Sequence, residues 1–261
     1  MINMKISNIG VSFQNKTVLK DISAVLKGGE LTSIIGPNGT GKTTLIKSIA
    51  RLIKSRGDVV LTDSHGNSLS KNSIAYVPQM STTTTELSVF EMVLLGRVKD
   101  LTWKVEKHHI DAVTQMLKDL GLLSLSYFPF CKLSGGQRQL VTMAQALVSK
   151  PKVLLLDEPT SALDLRHQLQ VLDIAQQYTK QTGAITLVVL HDLALVARYS
   201  DNILLLHDGK IVKKGLPKDV LDPNLLQEVY KVEVDVSVSN GGYTTVTPIR
   251  PIIPIRSSIV C

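Results

Sequence analysis

The chain has 261 residues, a formal charge of +7 at neutral pH and 44% hydrophobic residues. That length suits one large domain, or one domain with a subdomain, and can bury a substantial core. The apolar runs at 153–156 and 184–190 are strand-sized, so no bilayer-spanning segment is expected. The cationic excess is compatible with nucleic acid, an anionic membrane surface, acidic partner loops or a merely solvated surface, and does not choose among them. Cys131 and Cys261 make no metal or redox spacing. The first residues lead directly into polar sequence, so no signal peptide is expected. The expected compartment is the cytosol, where a structural disulfide is out of place.

Residues 4–35 read as short antiparallel strands, at 4–9, 10–13 and 17–26, with a turn at 27–30. Phe13 offers either a face for an adenine ring or a core aromatic. An apolar run at 31–35 then meets Gly36, Pro37, Asn38, Gly39, Thr40, Gly41, Lys42, Thr43 and Thr44, and a helical stretch follows at 45–54. Strand, glycine-rich turn and helix form the context that a phosphate-binding loop requires. Glycine lets the backbone curl and aim its N–H groups inward. The helix N-terminus adds partial positive charge. Lys42 supplies a full charge for the outer phosphates, and the Thr43 hydroxyl is placed to ligate Mg²⁺.

A strand at 57–61 and a turn at 63–67 follow, His65 being a solvated turn residue. Another strand, Ile74–Val77, is ended by Pro78 and Gln79. From about 80 to 150 the pattern is mostly helical, at 89–95 and at 106–120. There Ile110, Val113, Leu117 and Leu120 recur at helical spacing until Gly121. Met80, Met92, Met116 and Met143 are expected in the core of this insertion. His108 and His109 should diverge on a helix, which argues against a metal site. Trp103 reads as either a partner contact or core.

Leu133, Ser134, Gly135, Gly136 and Gln137 precede a helical run at 138–147. Ser134 suits an N-cap, and the glycines leave the helix N-terminus open to an anion, making a second phosphate-type site. The apolar run Val153–Asp157 suits a parallel strand covered on both faces. Functional groups of such sheets collect at the strands' carboxyl ends, where this one carries Asp157 and Glu158. Asp157 can hold a Mg²⁺ shell, and Glu158, on the other face, can polarise an attacking water. A loop at 161–164, a helix at 166–177 and a buried strand at 184–190 come next. His191 ends that strand, where a sheet presents its active groups. Strands at 202–206 and 210–212 flank a hairpin turn that includes His207, and 216–231 is a short helical stretch. Val232, Val234, Val236 and Val238 alternate with Glu233, Asp235, Ser237 and Ser239 as a half-buried strand. Gly241 and Gly242 turn it into 243–247, and Pro248, Pro251 and Pro254 exclude a central strand and leave an extended tail.

Together these motifs resemble those of ABC transporter ATP-binding subunits, in order and over nearly the whole chain. In that likeness 36–44 is the Walker A loop, Gln79 the Q-loop and 133–137 the signature motif. Val153–Asp157 is Walker B, Glu158 the catalytic glutamate, 161–164 the D-loop with Asp164, and His191 the switch histidine. Phe13 falls at the adenine-stacking position, which is usually Tyr. The resemblance implies an α/β fold: a P-loop NTPase core, an N-terminal antiparallel β-subdomain and an inserted helical subdomain at about 80–150. These would span 1–234, with a β-hairpin and extended tail over 235–261. ATP and Mg²⁺ are the implied cofactors. Phe13, the 36–44 loop, Ser134, Gly135, Gly136, Gln137 and Asp164 would hold the nucleotide; Thr43, Gln79 and Asp157 the metal. Glu158, His191 and Gln79 would be catalytic.

A second copy would lend Ser134, Gly135 and Gly136 in trans, so that ATP closes a head-to-tail dimer which hydrolysis reopens. Two transmembrane permease subunits and an extracytoplasmic binding protein are the other implied partners, without nucleic acid. The implied location is the cytoplasmic face of the inner membrane. Segments 90–97, 164–168, 191–199 and 221–234 are similar to importers of iron–siderophore, haem and cobalamin complexes, with an iron chelate as the expected cargo. Two other readings compete: a non-transport ABC ATPase acting on nucleic acid or ribosomes, and an export or regulatory cassette. The first usually carries two cassettes or a long coiled-coil insert.

Overall fold

The structure, a computed structural model, describes residues 2–14, 16–70, 73–79, 85–100, 105–238 and 242–252. Met80, Trp103, Ser239, Gly241, Pro254 and Cys261 lie outside those residues. The chain opens with β1 (Asn3–Phe13), β2 (Lys16–Lys27) and β3 (Leu31–Ile35), then α1 (Lys42–Ile49), β4 (Arg56–Thr62) and β5 (Ile74–Val77). Three helices follow: α2 (Val89–Leu94), α3 (Lys107–Asp119) and α4 (Gly135–Leu147). Strands and helices then alternate through β6 (Val153–Asp157), α5 (Leu165–Thr182), β7 (Ile185–Val189), α6 (Leu193–Tyr199), β8 (Asn202–His207) and β9 (Lys210–Gly215). Short helices α7 (Pro217–Val220) and α8 (Pro223–Tyr230) lead to a ribbon, β10 (Val232–Val238) and β11 (Thr244–Pro251).

The central sheet has the order β5-β6-β7-β3-β8-β9. Its neighbours run parallel except β9, which returns antiparallel to β8. That return turns at Asp208 and Gly209, both with positive φ, the geometry that favours an Asp–Gly pair in a tight hairpin. Every residue of β3, β6 and β7 is buried, which is why these strands read as unbroken apolar runs. Their side chains still divide by the two-residue period of a strand. Val153 and Leu155 pack with α1 and the antiparallel sheet β2-β1-β4, whereas Leu154 and Leu156 pack with α2, α3, α4 and α5. The sheet is thus sandwiched between a second sheet and a helical layer. Truncating a core leucine such as Leu155 removes about 2–5 kcal/mol.

Local chemistry explains where the elements begin and end. Reciprocal capping boxes start α2, between Ser88 and Glu91, and α4, between Ser134 and Gln137. Asp164 caps α5, which runs on to Thr182, five residues beyond the expected end, because Gly183 supplies the left-handed stop. Helix α1 starts at Lys42 and ends at Ile49, shorter at its far end than the expected 45–54, because Arg51 adopts a left-handed conformation. The expected break between 9 and 10 is absent: β1 is continuous and absorbs irregular register as bulges. The 216–231 stretch divides into two helices, the second capped by Asp222 ahead of Pro223.

The proline-bearing tail corrects the sequence reading more clearly. Pro248 and Pro251 both lie within β11, opposite Val234 and Val232. A two-stranded ribbon leaves each strand one free edge, where a missing N–H costs nothing. His108 and His109 do not diverge; their ring centroids are 3.8 Å apart. His109 is buried and accepts a hydrogen bond from Arg97 Nε at 3.3 Å. Met143 is fully buried and Met92 and Met116 pack against the same helical core. Among the described residues no helix is long and apolar enough to cross a membrane.

Candidate active site

Strand β3 delivers the chain at the centre of the sheet, and the loop 36–41 curls over its carboxyl end before α1 begins. Gly36, Gly39 and Gly41 all have positive φ. A side chain at Gly36 would also collide with the carbonyl oxygen of Leu206 on β8, so glycine is required twice over there. Thr40 Oγ1 donates to Pro37 O at 2.9 Å and pins the loop on itself. Lys42 lies inside this curl, 6% exposed, and its Nζ donates to Gly36 O at 2.8 Å and Pro37 O at 2.9 Å. Burial pulls its pKa below the usual lysine value, while the charges of Glu158 and Asp157 act in the opposite direction. With its hydrogen bonds made to neutral carbonyls, this buried ammonium can exchange them for an anion.

Strand β6, two places away in the sheet, brings its two carboxylates to the same rim. Asp157 is 1% exposed; its Oδ1 accepts from the Thr43 hydroxyl at 2.9 Å and its Oδ2 from the Tyr76 hydroxyl at 3.1 Å. Burial, and then the Asp157 charge, push the Tyr76 phenol well above its ordinary range, so it remains a donor. Glu158 follows in a left-handed backbone conformation, φ 52°. Such a φ is costly for a glutamate and turns its side chain off the strand's own face. Its Oε2 accepts from Gln79 Nε2 at 3.0 Å, and its Oε1 lies 2.8 Å from His191 Nε2. Gln79, Glu158 and His191 thus meet from the ends of β5, β6 and β7, as functional groups do in a parallel sheet.

A cavity of about 620 Å³ opens between these groups. The loop contributes Asn38, Gly39, Gly41, Lys42, Thr43 and Thr44, with Glu158 and His191 opposite and Val18 of β2 at the side. Phe13 is not in that wall; it ends β1 and is half exposed. Ser134, Gly135, Gly136 and Gln137 form the first turn of α4, and Asp164 the start of α5, and none of them lines this cavity. Sequence reasoning missed Val18 and Tyr76. Tyr76 was findable in principle: β5 pairs with β6 in the register Tyr76 to Leu155, which puts its phenol within reach of the carboxylate two residues on. For a hard divalent cation, the adjoining Thr43 hydroxyl and Asp157 carboxylate are an appropriate oxygen pair.

This combination defines the class: a phosphate-loop nucleoside triphosphatase with an antiparallel sheet on one face of its core and a helical layer on the other. Residues 19–161 match the ABC transporter family. A petrobactin import ATP-binding protein of Bacillus anthracis is 33% identical, over 89% of this chain and 88% of its own. A hemin import ATP-binding protein of Thermobifida fusca is 35% identical, over 93% and 87%. Among solved structures, a metal-chelate type ABC transporter in an inward-facing conformation superposes with a TM-score of 0.84 at 27% identity, over 95% of this chain and 98% of that one. The chain belongs to the ABC transporter family; it is an ATP-binding, ATP-hydrolysing subunit.

Proposed function

We propose that this chain is the ATP-hydrolysing motor of an importer whose cargo is an iron chelate of the ferric siderophore type. The observation that carries the motor is the Glu158–His191 pair, with Gln79 bonded to Glu158, facing the Lys42 loop across one cavity. The named import proteins and the metal-chelate transporter among its likenesses support the cargo class. Haem or cobalamin is the alternative cargo.

In this reading the loop amides and Lys42 receive the triphosphate, Lys42 exchanging its two carbonyl partners for phosphate oxygens. Thr43, Asp157 and Gln79 would hold Mg²⁺, which when bound neutralises charge on the phosphates. Glu158 takes the proton of the attacking water. Each of its oxygens already has one partner, Gln79 or His191, and keeps a second lone pair for the water. His191 then contacts the terminal phosphate. The missing wall of the cavity comes from a second copy, whose Ser134, Gly135, Gly136 and Gln137 approach head to tail, with Asp164 at the contact. Phe13 would flank the adenine. The ATPase unit would be 1–234 and residues 235–261 an appendage, the boundary falling within β10. The helical layer would grip two transmembrane permeases at the cytoplasmic face of the membrane, and an extracytoplasmic protein would deliver the cargo.

Uptake by cells lacking this subunit tests the cargo. Ferric siderophore uptake is expected to vanish and to return with the wild-type chain but not with Glu158→Gln. Loss of haem or cobalamin uptake alone would move the assignment to that cargo. Co-purification with RNA in place of a polytopic permease would favour the non-transport class.

A further inference from the structure

Gly136, the second glycine of the α4 turn, is buried. A Cβ added there would land on the imidazole ring of His167, in the first turn of α5. This ring is held. Its Nδ1 lies 2.8 Å from Asp164 Oδ2, and the His167 backbone N–H donates to Asp164 Oδ1 at 2.9 Å. Those two hydrogen bonds keep the Asp164 carboxyl below its usual range. The Cδ2 side of the ring, with Cγ and Nε2 flanking it, is what a Cβ at 136 would meet.

The contact continues backwards along the chain. Gln168 Nε2 donates to Leu163 O at 3.0 Å and Thr160 O at 3.4 Å. Ser161 donates to Glu158 O twice, from Oγ at 3.0 Å and from its N–H at 3.2 Å. Glu158 and Ala162 both sit at left-handed φ, so this segment is strained and tied at each end. An unbroken path therefore runs from the backbone of Glu158 to the Cα of Gly136.

We propose that His167 is a positioning residue: its ring is a wedge that fixes the 134–137 turn against the 158–164 loop. The state of Glu158, which serves the nucleotide on this chain, thereby sets the angle of a turn that serves the nucleotide on the partner copy. This rests on the trans reading of that turn given above. It also gives Gly136 a reason internal to the chain, because glycine is the one residue that admits the ring.

Four proteins test it: wild type, Gly136→Ala, His167→Ala and the double variant. Gly136→Ala is expected to lose about 100-fold in ATP turnover, the scale of a small misplacement in a reacting site. His167→Ala is expected to lose about tenfold in turnover and to bring the Hill coefficient for ATP towards one, with ATP affinity of the isolated subunit kept within about twofold. In the double variant the added methyl takes the room vacated by the ring, and turnover recovers at least about tenfold over Gly136→Ala. Adding His167→Phe instead, which keeps a ring against residue 136, gives no recovery. Should Gly136→Ala be too unstable to assay, its melting temperature gives the same reading, rising with His167→Ala and not with His167→Phe. Equal rescue by alanine and phenylalanine, or by neither, overturns the wedge. Amide exchange at 135–138 in the nucleotide-free subunit separates the two layers. Unchanged exchange in His167→Ala also removes the wedge; faster exchange with wild-type cooperativity keeps the wedge and removes the trans reading.

Discussion

The chain contains two glycine-bearing turns that open onto helix N-termini, and they are built differently. The 36–41 loop encloses a buried lysine, adjoins a buried aspartate and faces a glutamate and a histidine across a cavity. The 134–137 turn has none of these. It is closed by its own capping box, Ser134 Oγ accepting from Gln137 N at 3.3 Å and Gln137 Oε1 accepting from Ser134 N at 3.0 Å. The first turn can therefore hold an anion unaided, with a full cation and oxygen ligands for a metal. The second offers only backbone dipoles and a hydroxyl, too little to retain a nucleotide but enough to complete a site already filled. That asymmetry is what a head-to-tail pair of identical chains needs.

The largest effect should come from the first turn's own chemistry. Glu158→Gln keeps the side chain's size and one acceptor oxygen while removing the base, and is expected to lower turnover by about 10²–10⁴-fold. ATP binding should survive, so the variant should accumulate as an ATP-bound dimer in size-exclusion chromatography; unchanged turnover removes Glu158 from its role. Next comes the second turn. Ser134→Arg places bulk where a partner's nucleotide would lie and should lower hydrolysis by about 10²-fold, yet leave binding of a fluorescent ATP analogue within about threefold, since α4 does not line the chain's own cavity. Ser134→Ala, which loses the cap for about 1 kcal/mol and the hydroxyl without adding bulk, should lower turnover by less than Ser134→Arg does. If Ser134→Arg hydrolyses ATP normally, the two turns do not work in trans.

The comparison also bears on what sequence can and cannot carry. Both turns were readable because their chemistry is local: a loop between strand and helix, a cap followed three residues later by glutamine. The strands β3, β6 and β7 were readable because burial on both faces leaves no polar residue to interrupt them. What stayed hidden depends on partners far along the chain. Gly136 looks like part of a helix cap until His167, thirty-one positions on, is found lying against it. His109 was placed by helical geometry alone, which says nothing of Arg97. Pro248 and Pro251 exclude a central strand, but an alternating pattern does not reveal that a two-stranded ribbon offers edges that admit them.

Tyr76 is the hidden residue whose removal should cost least, and it tests how far the first turn's completeness depends on groups outside it. Its hydroxyl donates to Asp157 Oδ2 while Thr43 donates to Oδ1, so the buried carboxylate is held from both sides. Tyr76→Phe leaves one oxygen of a buried charge without a donor, at a cost of about 1–3 kcal/mol that a denaturant melt would register. Thr43 and the loop remain, so the half-saturating Mg²⁺ concentration for ATP hydrolysis should change by only about three- to tenfold, with maximal turnover nearly intact. The pH dependence has a definite sign. The phenol's pKa is raised in the folded chain above the ordinary tyrosine value of about 10, so its contribution is fully present below that pH and fades only as pH climbs from there through the folded value. The stability gap between wild type and Tyr76→Phe should therefore be flat from neutral pH to about 10 and narrow beyond it. A gap that narrowed on the way to pH 8 would mean that some group other than this phenol holds Asp157 in place.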